Sequence, residues 1–136
     1  MATRIFIADD DVSIQRLLCR LLEEHSDWQV CGTAANGHDA VVGVAELRPD
    51  IVILDLAMPT MNGLQAAQEI FARHPLLPML LMTVQEVHPE IARAAQNAGF
   101  SGAVSKNTGA EVVEGVEALL QKRSFFTLSP SNLSAH

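Results

Sequence analysis

Short apolar runs alternate along this chain with longer stretches whose apolar positions recur every three or four residues. Ile5, Phe6, Ile7 and Ala8 form the first run, within a strand expected over about Arg4 to Ala8. Ile14, Leu17, Leu18, Leu21 and Leu22 follow at helical spacing. A second strand is expected near Gln29 to Thr33. Asn36 and Gly37 then mark a turn, and a second helix runs to about Leu47. The third run is Ile51 to Leu54. Gly63 opens a third helix carrying Leu64, Ala67, Ile70 and Phe71 on one face. Pro75 and Pro78 end it and start a fourth strand, Met79 to Met82. An alanine-rich helix follows from about Pro89 to Ala98, with Gly99 placed to cap it. A fifth strand is expected at Ser101 to Val104, then a last helix carrying Val112, Val113, Val116, Leu119 and Leu120.

Five strand–helix alternations predict an α/β fold, a doubly wound parallel sheet of five strands with five helices on its two faces. A strand order of 2-1-3-4-5 puts the first and third strands side by side at the topological switch point. After Arg123 the pattern stops. Residues 124–136, with Pro130, read as a linker or frayed end following a single domain over residues 1–123.

Composition agrees with one well-filled core. The chain has 136 residues, 49% of them hydrophobic and 18% charged, and its mean hydropathy is +0.19. Those values argue against disorder, and the apolar runs are too short for a membrane span. No secretory leader is visible, so a cytoplasmic location is expected. Sixteen acidic against nine basic residues give a net charge of -7, which disfavours direct nucleic-acid binding. Cys19 and Cys31 form no CxxC pair and are expected to be reduced and mostly buried.

The polar residues at the strand ends carry the chemical signal. The first run ends in Asp9, Asp10 and Asp11, the third in Asp55, the fourth in Thr83 and the fifth shortly before Lys106. In an open parallel sheet these ends share one edge, where such folds place their sites. Each residue alone has an ordinary explanation. Asp11 suits a helix N-cap, Thr83 a strand end, and Lys106 a solvated loop. Together they bring carboxylates, a hydroxyl and an ammonium to one place. That set suits an aspartate that is itself phosphorylated beside a divalent cation, since Mg²⁺ uses one or two protein carboxylates plus water and phosphate oxygens. His25, His38, His74, His88 and His136 show no metal-ligand spacing. Gly99 to Gly102 is too tight for a nucleophile elbow, and no phosphate-cradling glycine loop occurs.

These residues resemble the receiver domains of two-component response regulators, which have a flavodoxin-like fold. The likeness spans about residues 3 to 123. It rests on the Asp9–Asp10 pair, on Asp55 within Leu54 to Pro59, and on Gly63, Thr83 and Lys106. The Ala8 to Asp10 opening, Met58 to Gly63, and Thr83 with Val84 are most similar to the NarL/FixJ, or LuxR-type, subfamily. The resemblance implies Asp55 as phosphoacceptor, Thr83 as switch hydroxyl and Lys106 as phosphoryl-binding lysine. It implies Mg²⁺ as cofactor, held by Asp9, Asp10, Asp55 and the backbone carbonyl of Ala57, with Asp10 the more direct ligand. It further implies a sensor histidine kinase as partner, homodimerisation on phosphorylation, and output through a helix-turn-helix DNA-binding domain not present in this chain. Such a domain takes part in phosphotransfer and autodephosphorylation without being a conventional enzyme.

Three positions depart from the family pattern. The switch aromatic three residues before the lysine is Ala103, so the coupled rotation of threonine and aromatic is not carried over. Asn107 replaces a frequent proline. Val84 follows Thr83 where many receivers have Ala or Gly, and its bulk restricts access to Asp55. A stand-alone receiver, or a pseudo-receiver acting only in protein interaction, is the alternative reading. An aspartate-nucleophile phosphatase is disfavoured because Ala57 occupies the position of the second acid in DxD. A flavin protein is disfavoured because the acidic run repels phosphate.

Overall fold

The computed structural model describes residues 2–106 and 109–127. Asn107 lies outside the described residues, as do residues 128–136 with Pro130. The elements in order are β1 (Thr3–Ala8), α1 (Val12–Glu23), β2 (Trp28–Ala34), α2 (Gly37–Leu47), β3 (Ile51–Asp55) and α3 (Gly63–Arg73). They continue with β4 (Met79–Thr83), α4 (Pro89–Ala98), β5 (Gly102–Ser105), α5 (Gly109–Leu120) and β6 (Phe125–Phe126). All neighbouring strands pair in parallel, in the order β2-β1-β3-β4-β5-β6.

The expected order of the first five strands holds. The expectation of a five-stranded sheet does not, because a sixth strand, β6, pairs with the outer edge of β5. The residues just after Arg123 are therefore not a plain linker. Phe125 and Phe126 are too short a run to show a period, and their extended state is imposed by the free edge they cover.

Alternation along each strand divides the interior into two cores. Phe6, Ala8, Val52, Leu54, Leu81 and Ala103 face one side and pack with Ala40 and Val44 of α2, Ala67 and Ile70 of α3, and Ala95 of α4. Ile5, Ile7, Ile53, Leu80, Met82 and Val104 face the other side and pack with Leu18 and Leu22 of α1 and Val116 and Leu119 of α5. Both β3 and β4 are buried along their whole length, as strands covered on two faces should be. The helical stripes are wider than the buried faces: Leu17 is 51% exposed, and Phe71 is exposed too. Both cysteines are free and half-buried rather than mostly buried, and burial pushes each thiol pKa up. Among the described residues, no helix is long and apolar enough to cross a membrane.

Candidate functional site at the carboxyl edge of the sheet

Parallel pairing brings the C-terminal ends of β1, β3, β4 and β5 to one edge, and each delivers one polar side chain there. Asp9 follows β1, Asp55 ends β3, Thr83 ends β4, and Lys106 follows β5. Each position is fixed by backbone hydrogen bonds. Asp9 N–H donates to Ala34 O at 3.0 Å, Leu56 N–H to Met82 O at 2.8 Å, and Lys106 N–H to Thr83 O at 2.8 Å.

The turn after β3 is pinned by glycine. Gly63 N–H donates to Leu56 O at 3.0 Å. A Cβ at Gly63 would collide with the carbonyl oxygen of Asp55, so only glycine lets α3 start this close to the strand end. Asn62 and Gln65 complete a capping box on α3. Asp11 is the N-cap of α1, its side chain accepting from Ser13 N–H and Ile14 N–H.

Asp9 is fully buried and Asp55 is 3% exposed, whereas Asp10 is exposed. Lys106 Nζ reaches both buried acids, at 2.9 Å from Asp9 Oδ2 and 3.2 Å from Asp55 Oδ2. Asp9 Oδ1 accepts from Asp11 N–H at 2.8 Å. Burial and the negative charge of Asp9 push the Asp55 carboxyl above the usual carboxylate range, against the pull of Lys106 and the Ala57 N–H. Burial pulls the Lys106 ammonium down, but hydrogen bonds and charge from Asp9 and Asp55 outweigh it, so its pKa is raised. The buried hydroxyl of Thr83 accepts from Gln85 N–H at 3.2 Å.

Asp9, Asp10 and Asp55 each offer an oxygen, and these lie within 4.8 Å of one another. Three carboxyl groups face one ammonium in a largely buried corner, so their ionisation leaves an excess of negative charge there. That excess, made of hard oxygen donors with one exposed member, fits a divalent cation such as Mg²⁺. A cleft of about 630 Å³ opens over the site, lined among others by Asp10, Asp55, Ala57, Thr83, Val84 and Lys106. Val84, 62% exposed, stands on its rim.

The sequence-expected set of Asp9, Asp10, Asp55, Thr83 and Lys106 thus converges, with Ala57 beside it. Lys106 pairs with both Asp55 and Asp9, and Asp9 is the nearer partner. One contributor escaped the sequence reading. Gln15 Nε2 donates to Asp9 O at 2.6 Å and to Ala34 O at 3.0 Å, tying α1 to the ends of β1 and β2. Its only sequence signal is an amide one turn into the helix after the acidic run. Ala103 is fully buried with no aromatic on its own strand at that place.

The family model for the response regulator receiver domain matches residues 5–117. Among curated proteins, the chain is 30% identical over 125 residues to response regulator GacA of Pseudomonas viridiflava, covering 91% of this chain and 58% of that protein. It is 35% identical over 106 residues to a protein-glutamate methylesterase/protein-glutamine glutaminase of Geobacillus kaustophilus, covering 78% of this chain and 30% of that protein. It therefore spans between about a third and somewhat over half of these relatives. A LuxR-family two-component response regulator from Aurantimonas sp. SI85-9A1 superposes with a TM-score of 0.89 at 30% identity, covering 98% of this chain and 94% of that one. The signal receiver domain of a NarL response regulator from Mycobacterium tuberculosis superposes with a TM-score of 0.80 at 28% identity, covering 90% of this chain and 98% of that one.

Proposed function

The chain belongs to the response regulator receiver domain family, and we propose that Asp55 is its phosphoacceptor, charged by a sensor histidine kinase. The observation that carries this reading is the setting of Asp55. It is a buried carboxylate at the floor of an open cleft, 3.2 Å from the Lys106 ammonium and grouped with Asp9 and Asp10. An Asp55 oxygen attacks the phosphorus of a phosphohistidine, the P–N bond breaks, and the imidazole leaves with the electron pair. Lys106 offsets charge on the transferring phosphoryl oxygens, and the hydroxyl of Thr83, which lines the same cleft, turns toward them. Asp9, Asp10, Asp55 and the Ala57 carbonyl would hold Mg²⁺, which supplies charge neutralisation to the transferring group. Because transfer requires an ionised Asp55, its raised pKa makes cation binding and carboxylate formation mutually reinforcing.

The same reading extends to the partners. The phosphorylated surface favours a homodimer and drives an output, of which a helix-turn-helix DNA-binding domain in a cytoplasmic regulator is the best fit to the LuxR-type likeness. This chain itself carries the signal and does not contact nucleic acid. The test is incubation with Mg²⁺ and acetyl phosphate, read by intact mass. One phosphoryl adduct is expected, absent with EDTA and absent in Asp55→Asn. A folded chain that takes no adduct under these conditions or from a cognate kinase overturns the reading in favour of an interaction-only module.

A further inference from the structure

Both β5 and β6 are shaped for their contact. Phe125 N–H donates to Ser101 O at 3.0 Å and Thr127 N–H to Ala103 O at 3.1 Å. The two aromatic side chains point to opposite faces, Phe125 into the core under α1 and α5 and Phe126 into the core under α2, α3 and α4. Phe126 pairs with Ala103 and packs into the same core, so an aromatic ring from β6 covers the face where β5 presents only a methyl group. A Cβ at Gly102 would crowd the Phe125 carbonyl oxygen, whereas one at Gly115 would press on Leu80 and only touch the Phe125 ring. The Thr127 hydroxyl lies 3.4 Å from both Ala103 O and Glu111 Oε2.

The strand that holds β6 also leads directly into Lys106. Ser105 is in register with Thr83, and Lys106 N–H bonds Thr83 O. A phosphoryl group on Asp55 places strong acceptor oxygens farther out than the carboxylate, where they compete with Asp9 for the ammonium. Re-aiming Lys106 draws on β5, which β6 grips along its outer edge at Gly102 and Ala103, just upstream of the lysine. With two residues, β6 is the shortest strand of the sheet, and such an edge opens at low free energy.

Resting on the phosphoacceptor reading of Asp55, we propose that β6 is a strap whose hold on β5 is set by the state of Asp55, with Phe126 as the positioning residue. Phosphorylation loosens the strap and so reports the state of the site to the chain beyond Thr127. By linkage, weakening the strap favours the modified state.

The test uses the whole chain with Mg²⁺ and beryllofluoride, whose binding is followed by ¹⁹F NMR. Amide exchange at Phe125 and Thr127 should accelerate about 5-fold or more in the complex, while β1 and β3 amides do not. Phe126→Ala should tighten beryllofluoride binding by a similar factor with unchanged circular dichroism, and Phe126→Leu should restore most of the wild-type value. Unchanged exchange at Phe125 and Thr127 in a chain that demonstrably holds beryllofluoride overturns the strap and leaves the phosphoacceptor reading standing. Wild-type beryllofluoride affinity in Phe126→Ala overturns the role of Phe126. A chain that takes neither beryllofluoride nor a phosphoryl adduct overturns both readings.

Discussion

The Lys106 ammonium lies 3.2 Å from the Asp55 carboxylate, although β4 separates the strands that carry them. The lysine reaches across the end of β4 to Asp55 of β3 and also to Asp9, which follows β1 on the far side of β3. Its pairing satisfies two buried acids at once, so its removal acts on folding as well as on chemistry.

Lys106→Met should destabilise the cation-free protein by about 3 kcal/mol, because breaking a buried pair leaves its partner's charge uncompensated. Asp9, fully buried, is the group left exposed to that cost. Denaturant melts with EDTA check this. Added Mg²⁺ should recover part of the loss, since the cation replaces the missing positive charge.

Asp55→Asn should behave in the opposite way. Burial and Asp9 raise the Asp55 pKa in the folded state, so between the ordinary carboxylate value and the folded one the native chain holds a proton that the unfolded chain releases. Its stabilising contribution is present at acid pH and is lost as pH rises from the ordinary carboxylate value through the folded pKa. Asp55→Asn should therefore flatten the stability profile in that window and equal or exceed wild-type stability at neutral pH without Mg²⁺. Lys106, also raised, contributes stability that disappears only above the ordinary lysine range. Melts across pH in wild type and variant test both signs.

Mg²⁺ should raise the melting temperature of wild type, and EDTA should reverse the gain. A ligand at one hundred times its dissociation constant stabilises by about 2.7 kcal/mol. Asp10→Ala should reduce that gain with little effect on the cation-free protein, because Asp10 is the exposed member of the acidic group. Calorimetric titration with Mg²⁺ alone reads the affinity directly.

Val84→Ala should leave stability within about 0.5 kcal/mol, as expected for an exposed position. It should speed both phosphorylation by acetyl phosphate and loss of the phosphoryl group several-fold, because Val84 stands on the rim of the cleft over Asp55. Time courses of intact mass, on loading and after donor removal, check the two rates.

The convergence at the sheet edge was legible because it follows from period and topology. Apolar runs locate the strands, parallel pairing aligns their ends, and Asp9, Asp55, Thr83 and Lys106 are what stands there. Asp11 as a cap was legible for the same local reason. The strap was not. Phe125 and Phe126 have no periodicity of their own, and Gly102 looks unremarkable until β6 is seen against it. The choice Lys106 makes between Asp9 and Asp55 was equally hidden, since it depends on side-chain reach across a strand rather than on spacing. Leu17 and Phe71 show the converse limit: helical spacing marks a stripe, and only tertiary packing decides how much of it is covered.

The most direct measurement locates the phosphoryl group. Borohydride reduces an aspartyl phosphate to homoserine, so the chain would be loaded with Mg²⁺ and acetyl phosphate, reduced, digested and sequenced by tandem mass spectrometry. Homoserine at position 55, and at no other aspartate, is the predicted result. Homoserine at Asp9 or Asp10 instead, or none in a folded chain, would contradict the assignment of Asp55 as the phosphoacceptor.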